Sequence, residues 1–576
     1  MPSITINGKP CDFEQGQTIL QVANDHGIEI PQYCYHDGLS IVASCRICLA
    51  EVWAPNPRND NKLEPIPKLL PTCQSTAGDG QVVYTDSPKA IQNQKAVMEY
   101  LLINHPLDCP VCDQSGECFL QDYSYEYGRG VSRFQETKVK QPKKNLGPHV
   151  YLYADRCIMC SRCVRFTREV TGTSELLVQG RGNREEIDVF PGIALDNELS
   201  ANVIDLCPVG ALLDKDFLFA QRVWFLKNTP SIDGITASGD NILLEHNEGQ
   251  IYRIKPRTNM DVNQWWISDE IRYGWKFVHR EDRLSQCQHT RFDQRTACDY
   301  ERALDETVAG LTGKHLAVMV SPMLASEEAY ALAKMAKAFD ENAVFAVGPI
   351  PRQGEDKTFP GGYTIRAEKA PNARGVRRVL EAMSGGEPVL SYEDLQGRLM
   401  SEEFPGLIIT GNYPSEWVTD EFKRGCEGKF TLLIDTLPTP LTEQADIVIP
   451  GATWAEKAGV FENAGGRLQA FEQAIPLRPG ARSEGQIAFD LLSNLEGLPR
   501  TQDAGFGREL VVDEGPGQVP SGATVAVARS SAMTFNAANV RREMAGEFDA
   551  LSAFETDVHY PSVEAKQEPD MQVVEL

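Results

Sequence analysis

RCIMCSRCVRF, residues 156–166, sets three cysteines two residues apart at Cys157, Cys160 and Cys163, and VIDLCPVGAL, residues 203–212, puts a fourth before a proline, Cys207-Pro208. A Cys-x2-Cys-x2-Cys run with a remote Cys-Pro is the ligand pattern of a bacterial-type [4Fe–4S] site. Successive thiolates meet three irons of one cube, and the remote ligand ties a second segment to it. The chain has one such triplet, so Cys207 most economically completes that same cluster. Two further sets lie upstream. Cys34-x10-Cys45-x2-Cys48-x24-Cys73 follows an opening of two short strands and a helix, the context of a plant-type ferredoxin fold, and suits a [2Fe–2S] cluster. The close pair Cys45 and Cys48 is expected to face one iron while Cys34 and Cys73 close the cage, with backbone N–H groups of Ser44, Arg46 and Ile47 turned to sulfur. Zinc on the same four thiolates is the alternative, but the ten-residue spacing in a wrapped loop is unlike a zinc knuckle. The last set is His105-x3-Cys109-x2-Cys112-x5-Cys118. A lone histidine before a proline is ordinarily structural, yet His105 stands beside three cysteines that lack a fourth ligand. Imidazole in place of thiolate removes a negative charge, a change that raises the potential in Rieske centres.

Four cysteines remain, Cys11, Cys287, Cys298 and Cys426. They are too scattered for another cluster; Cys287, His289 and Cys298 could contact a metal, but ordinary thiols are the simpler expectation. At 576 residues the chain exceeds a single core, and its 42% apolar content is ample for globular folding. A formal charge of −25 excludes a nucleic-acid surface, which needs clustered Lys and Arg. The N-terminus MPSITINGKPCDF has neither a signal nor a transit pattern, and no apolar run of about 18 residues occurs. A soluble, cytoplasmic protein is expected, reaching a membrane through partners alone. In that reducing compartment cysteines serve metal or redox chemistry rather than disulfides.

ITINGKPCDFEQG predicts two strands around an Asn7-Gly8 turn, then a helix begun by a Thr18/Gln21 capping box and ended by Gly27. Residues 53–71, with five prolines, read as a loop; a helix is expected over Ala90–Ile103, and residues 141–148 as a linker. Short strands, NILLEHN and QIYRIKP, mark residues 222–280. From about residue 300, LAVMV, GLIIT and FTLLID alternate with helical segments such as SEEAYALAKMAKAF, the texture of a doubly wound α/β domain. Residues 560–576 read as a disordered tail.

With SGECFLQDYSYEYG around the second set, the three ligand groups resemble the large iron–sulfur subunit of respiratory complex I, the NADH:quinone oxidoreductase, densely over residues 1–280. The resemblance assigns a [2Fe–2S] cluster to Cys34, Cys45, Cys48 and Cys73, one [4Fe–4S] cluster to His105, Cys109, Cys112 and Cys118, and another to Cys157, Cys160, Cys163 and Cys207. More loosely, TLLIDTLPTPLTEQADIVIPGATWAEKAGVFENAGGRLQ is similar to the molybdopterin-dependent oxidoreductases, with Glu456, Gly459 and Asn463 in the shared segment. An active member needs a metal-ligating cysteine or equivalent with catalytic neighbours, commonly a histidine. Here no histidine lies between His315 and His559, and Cys426 is the sole cysteine after Cys298.

The implied fold is α+β ferredoxin-like iron–sulfur domains followed by an α/β molybdopterin-oxidoreductase-like domain without the molybdenum cofactor. The expected domains are residues 1–85 ([2Fe–2S]), 86–140 (His-ligated [4Fe–4S]), 141–221 (second [4Fe–4S]), 222–280 (strand-rich), 281–530 (α/β scaffold) and 531–576 (poorly ordered tail). Some bacterial relatives hold a fourth cluster after the third site; here TPSIDGITASGDN and WISDE carry no cysteine, Ser268 standing where the last would be, so that cluster is expected to be absent. The chain is also somewhat short for the family. The resemblance implies an electron relay between a flavin-bearing, NADH-oxidising subunit and quinone-facing hydrophilic subunits, in a peripheral arm on the cytoplasmic side of the membrane, with no catalytic residue of its own. A relay subunit of a soluble NAD-linked hydrogenase or formate dehydrogenase is the alternative.

Overall fold

The computed structural model describes residues 2–292, 294–497 and 534–561. They fall into two compact units, the first running to Leu226 and including Thr358–Tyr363, the second comprising the rest.

The first unit opens as a ferredoxin-like sheet. Strands Ser3–Ile6 and Lys9–Asp12 pair with Ile6 opposite Lys9, and the turn between them needs the left-handed backbone that Asn7 and Gly8 adopt at φ 47° and 82°. The sheet order is Lys9–Asp12, Ser3–Ile6, Val82–Tyr84, Leu49–Asn56, Lys62–Pro65. Helix Ile19–Asp25 starts with the expected reciprocal capping box of Thr18 and Gln21, and buries Ile19, Leu20, Val22 and Ala23. The proline-rich stretch 53–71 is not a loop. It completes Leu49–Asn56 and returns as the edge strand Lys62–Pro65, with Pro55 opposite Leu63 and Pro65 opposite Trp53. Asp60 and Asn61, both at positive φ, make the turn. An edge strand tolerates proline because not every N–H is needed for the ladder.

Helix Pro88–Leu102 is capped by Ser87. Residues 141–148 likewise correct the linker expectation, because Lys143–Asn145 pairs with Val150–Tyr153, which Leu212–Asp214 flanks on its other side. Charged Lys143 and Lys144 masked a strand whose exposed side meets water.

In the second unit Lys227–Ile232, Asn241–Asn247 and Gln250–Pro256 form an antiparallel meander, followed by helix Asp269–Tyr273. The α/β sheet runs Gln294–Cys298, Cys287–Arg291, Ile447–Pro450, Phe430–Asp435, Gly406–Thr410, Leu316–Val320, Val344–Val347, the last five mutually parallel. All five residues of Leu316–Val320 and of Gly406–Thr410 are buried, as strands covered by helices on both faces must be. Helix Ser326–Phe339 packs in the core on one face, while Leu395, Phe404, Tyr413 and Phe422 lie in the core on the other.

The expectation of a poorly ordered tail over 531–576 needs correction where residues are described. Helix Ala537–Glu547 buries Val540 and Met544 in the α/β core alongside Phe535, Leu551 and Phe554, and Arg541 meets the buried Glu327 at 2.8 Å. Those apolar residues are sparse in a Gly/Ala/Ser-rich setting, which hid their periodicity. Most of residues 560–576 lies outside the described residues, as does 498–533. Among the described residues no helix is long and apolar enough to cross a membrane.

Candidate metal centres

All three ligand sets lie in the first unit. In the first, Cys34, Cys48 and Cys73 are buried and Cys45 partly so. The sulfurs pair as Cys34 with Cys45 at 3.4 Å and Cys48 with Cys73 at 3.6 Å. The neighbours in sequence, Cys45 and Cys48, are thus not the close pair. The loop wraps because Ala43 and Arg46 take left-handed backbone, φ 49° and 62°. That curvature turns the N–H groups of Ser44 and Cys45 to Cys34, which its hydrogen bond with the Cys45 thiol holds far below the usual thiol range. Cys48 is drawn down to about 7, first by its hydrogen bond with Cys73.

In the second set Cys109 opens a single 3-10 turn, Cys109–Val111, and Cys118 stands at the N-cap of helix Phe119–Glu126. Arg222 holds the loop, donating through Nη1 to Cys112 O at 2.9 Å and through Nη2 to Pro110 O. Burial pushes Cys118 up to about 12 and His105 down to about 4, Arg156 and Lys138 adding to the latter. His105 Nδ1 is buried without a hydrogen-bond partner. A buried ring nitrogen that no protein group engages is open to a metal ion in the neutral imidazole.

The third set is the most enclosed. Cys157, Cys160, Cys163 and Cys207 line one small cavity of about 20 Å³, walled by apolar side chains including Leu152, Ile187 and Val209. Met159 and Ser161, at φ 54° and 58°, alternate with the cysteines and coil the loop around that hollow. Burial raises Cys160 to about 11 and Cys163 well above the thiol range. Ligand binding must therefore displace protons from these thiols.

Arginines connect the sets. Arg156, 2% exposed, donates to Asp108 beside Cys109 at 2.8 Å and to Gly210 O at 3.4 Å. Gly210 must be glycine, since a Cβ there would lie 2.2 Å from Cys112 Sγ. Arg162 and Arg165 are buried, and among the described residues neither meets a carboxylate within ion-pair distance; the charges facing Arg162 are those of Cys160, Cys207, Cys34 and Arg165. Two buried cations without carboxylates call for negative charge nearby, which thiolate-ligated iron–sulfur groups carry. The four thiols around one hollow in the third set, the close sulfur pairs in the first and the buried cations beside them suit iron–sulfur chemistry, whereas in the second Cys109 is exposed and Cys112 and Cys118 are buried; among the described residues no His, Cys, Asp and Glu group already stands in metal-holding geometry. Sequence reasoning missed the arginines, although their spacing around the Cys157 triplet was visible.

The other candidates are taken up structurally. Cys11 and Cys426 sit in apolar cores. Cys287 and Cys298 lie directly opposite across two antiparallel strands, and His289 Nδ1 is held by Glu306 at 2.8 Å. Ser268, 2% exposed, caps helix Asp269–Tyr273 by accepting from Ile271 N at 3.3 Å. In the α/β unit Glu456 forms a two-point pair with Arg283 at 3.0 and 2.7 Å, Gly459 packs against Ala325, and Asn463 binds Ser238 O at 3.1 Å.

This architecture is that of an iron–sulfur protein with a molybdopterin-oxidoreductase-type domain. A model of a 2Fe-2S iron-sulfur cluster binding domain matches residues 2–88, the NADH-ubiquinone oxidoreductase-G iron-sulfur binding region matches 94–133, and the ferredoxin-like domain of NADH-quinone oxidoreductase subunit 3 matches 147–213. The NDSU1/NuoG-like 4Fe-4S domain of NADH-ubiquinone oxidoreductase matches 226–276, a stretch without cysteine here, and the molybdopterin oxidoreductase model matches 382–494. The chain is similar to the NADH dehydrogenase [ubiquinone] iron-sulfur protein 1 of Solanum tuberosum, 44% identical over 48% of this chain and 36% of the relative. It is 43% identical to the NADH-ubiquinone oxidoreductase 75 kDa subunit of Reclinomonas americana over 49% of this chain and 39% of the relative. The aligned part thus spans well under half the length of these relatives. Among solved structures, an NAD+-reducing [NiFe]-hydrogenase in the H2-reduced state aligns with TM-score 0.34 and 28% identity, over 38% of this chain and 91% of that one. The resemblance of the N-terminal half to the 75 kDa iron–sulfur proteins of NADH:quinone oxidoreductase holds on both sequence identity and domain series.

Proposed function

We propose that this chain is an electron-relay subunit of an NADH:quinone oxidoreductase. On this reading Cys34, Cys45, Cys48 and Cys73 hold a [2Fe–2S] cluster, His105, Cys109, Cys112 and Cys118 one [4Fe–4S] cluster, and Cys157, Cys160, Cys163 and Cys207 another. The observation that carries it is the presence of three four-ligand sets in one compact unit, with buried arginines between them. When bound, the clusters supply one-electron acceptance and release, linking a flavin-bearing, NADH-oxidising partner to quinone-facing subunits.

The chain's own part is to hold and insulate. Apolar side chains wall the third set, Arg222 fixes the carbonyls of the second, and the Ser44 and Cys45 N–H groups stabilise negative charge on Cys34. No catalytic residue is assigned. The α/β unit serves as scaffold without molybdenum: Glu456 and Asn463 are engaged in internal bonds, Gly459 is packed on Ala325, and histidine is absent from the sequence between His315 and His559. Residues 226–276 keep a fourth-cluster domain without its ligands, Ser268 capping a helix instead. The protein works in a peripheral arm and meets the membrane through partner subunits.

Anaerobic metal analysis tests this reading. About ten irons with matching labile sulfide are expected per chain, without zinc or molybdenum. Stoichiometric zinc in place of iron refutes the relay, stoichiometric molybdenum refutes the scaffold, and about fourteen irons would reveal a fourth cluster.

A further inference from the structure

We propose that Arg165 is a positioning residue that fixes the first ligand set against the third and tunes the potential of both; this deepens the relay reading and rests on it. Helix Arg162–Glu169 begins within the third set, which includes Cys163. Residues 162, 165 and 169, spaced i, i+3, i+7, share one helix face. That face grips the loop of the first set along its length. Arg165 Nη2 donates to Cys34 O at 2.5 Å and to Cys160 O at 3.4 Å, so one nitrogen touches the backbone of a ligand from each set. Its Nη1 donates to Ser40 O, and Glu169 accepts from Ser40 N at 2.8 Å and Oγ at 2.6 Å. Arg162 repeats the pattern, reaching Tyr35 O in the first loop and Leu206 O, beside Cys207, at 3.4 Å.

Three carbonyls in different directions require the planar, multi-donor guanidinium; a lysine ammonium on its flexible stem cannot hold all of them in one geometry. The Nε atoms of both arginines are buried without a partner, and among the described residues no carboxylate stands within ion-pair distance of either cation. A fixed positive charge beside a site that gains an electron favours the reduced form and raises its potential. Arg165 sits against two ligand sets, so it acts on both together. The His105 set is bound through other arginines, Arg156 and Arg222, while the hydrogen bonds of Arg165 go to Cys34, Ser40 and Cys160.

The test is a redox titration of the intact, iron-loaded protein, followed by the paramagnetic signals of the reduced centres, in wild type, R165M and R165K. R165M should lower the potentials of the Cys34 and Cys157 sets together and leave the His105 set unmoved. R165K, which keeps a cation but loses the multi-point grip on the carbonyls, should move the same two in the same direction by less. Should R165M fail to load iron, R165K decides alone. Unchanged potentials in an iron-replete variant overturn the proposal, as does an equal shift of all three centres, the mark of a general structural loss. If wild-type protein shows no separately reducible centres, the relay reading itself has failed rather than the role of Arg165.

Discussion

Replacing Gly210 by alanine should strip the second ligand set while sparing the other two. The added Cβ would lie 2.2 Å from Cys112 Sγ and 3.1 Å from Gln114 Cβ. Ordinary contacts between such atoms begin near 3.5 Å, so sulfur and methyl overlap by more than about 1 Å. Two routes relieve this. Backbone displacement carries an overpacking cost of about 1–3 kcal/mol, felt also at Arg156, which donates to the Gly210 carbonyl. Alternatively the Cys112 side chain rotates away, and the set loses a donor. Either way the chain should lose on the order of four irons, and the unit should melt roughly 2–12 °C lower. Metal analysis of anaerobically purified protein, with calorimetry on the same sample, measures both. Gly397→Ala is the control: nothing lies within 4 Å of its Cβ position in helix Tyr392–Leu399, so it should gain about 0.5–1 kcal/mol and lose no iron. A Gly210→Ala protein with full iron and an unaltered melting temperature would refute the close approach of the two loops.

His105→Cys should keep all iron and lower the potential of one centre, because thiolate adds the negative charge that imidazole lacks; loss of no iron and no spectral change in His105→Ala would show the fourth ligand to be elsewhere. In the α/β unit Lys457 is buried between Glu328 at 2.8 Å and Glu484 at 2.6 Å. Burial pushes the Glu484 carboxyl up to about 8 from an ordinary 4.5, so its stabilising contribution is complete below about 4.5, declines as pH rises, and is gone above about 8. Calorimetry of Glu484→Gln should therefore show a melting temperature that falls less between pH 5 and 8 than the wild type's, and equal slopes would refute the assignment. Lys457→Met leaves the buried Glu328 carboxylate without its cation and should cost about 3–5 kcal/mol by the same measurement; a change under about 1 kcal/mol would show the triad to be energetically idle.

Much of the scaffold was legible because local chemistry and tertiary need agree. LAVMV, GLIIT and FTLLID are strands over the expected residues, being continuous apolar runs that only a two-sided burial explains. Thr18 with Gln21 announced its helix for the same reason, since the capping bonds are within four residues. Long-range pairing decided the failures. Lys62–Pro65 and Lys143–Asn145 carry charge or proline and become strands through the neighbour they add to, which their own composition does not reveal. At the candidate site, cysteine spacing grouped the ligands but did not give the sulfur pairing. Left-handed backbone at Ala43 and Arg46 separates Cys45 from Cys48 and brings each to a distant partner. The arginines stood in plain sight around the Cys157 triplet, but the targets of Arg162, Arg165 and Arg222 did not, because they are backbone carbonyls and every residue has one.

The first unit is not continuous in sequence, and this bears on how it is made. Thr358–Tyr363 belongs to it, with Gly361 N donating to Val170 O at 3.0 Å and Pro360 packed where a Cβ on Gly172 would lie 2.8 Å away. The ribosome has emitted every cysteine of the three sets long before this short piece leaves the exit tunnel. At ordinary elongation speeds the interval between Leu226 and Tyr363 lasts roughly 7–30 s. During that time the helix Arg162–Glu169 ends at a Val170 carbonyl whose final cover has not been synthesised. A nascent chain released early would carry complete ligand sets on an unfinished surface, so premature termination between these two points yields a product that metal content alone cannot distinguish from the finished unit.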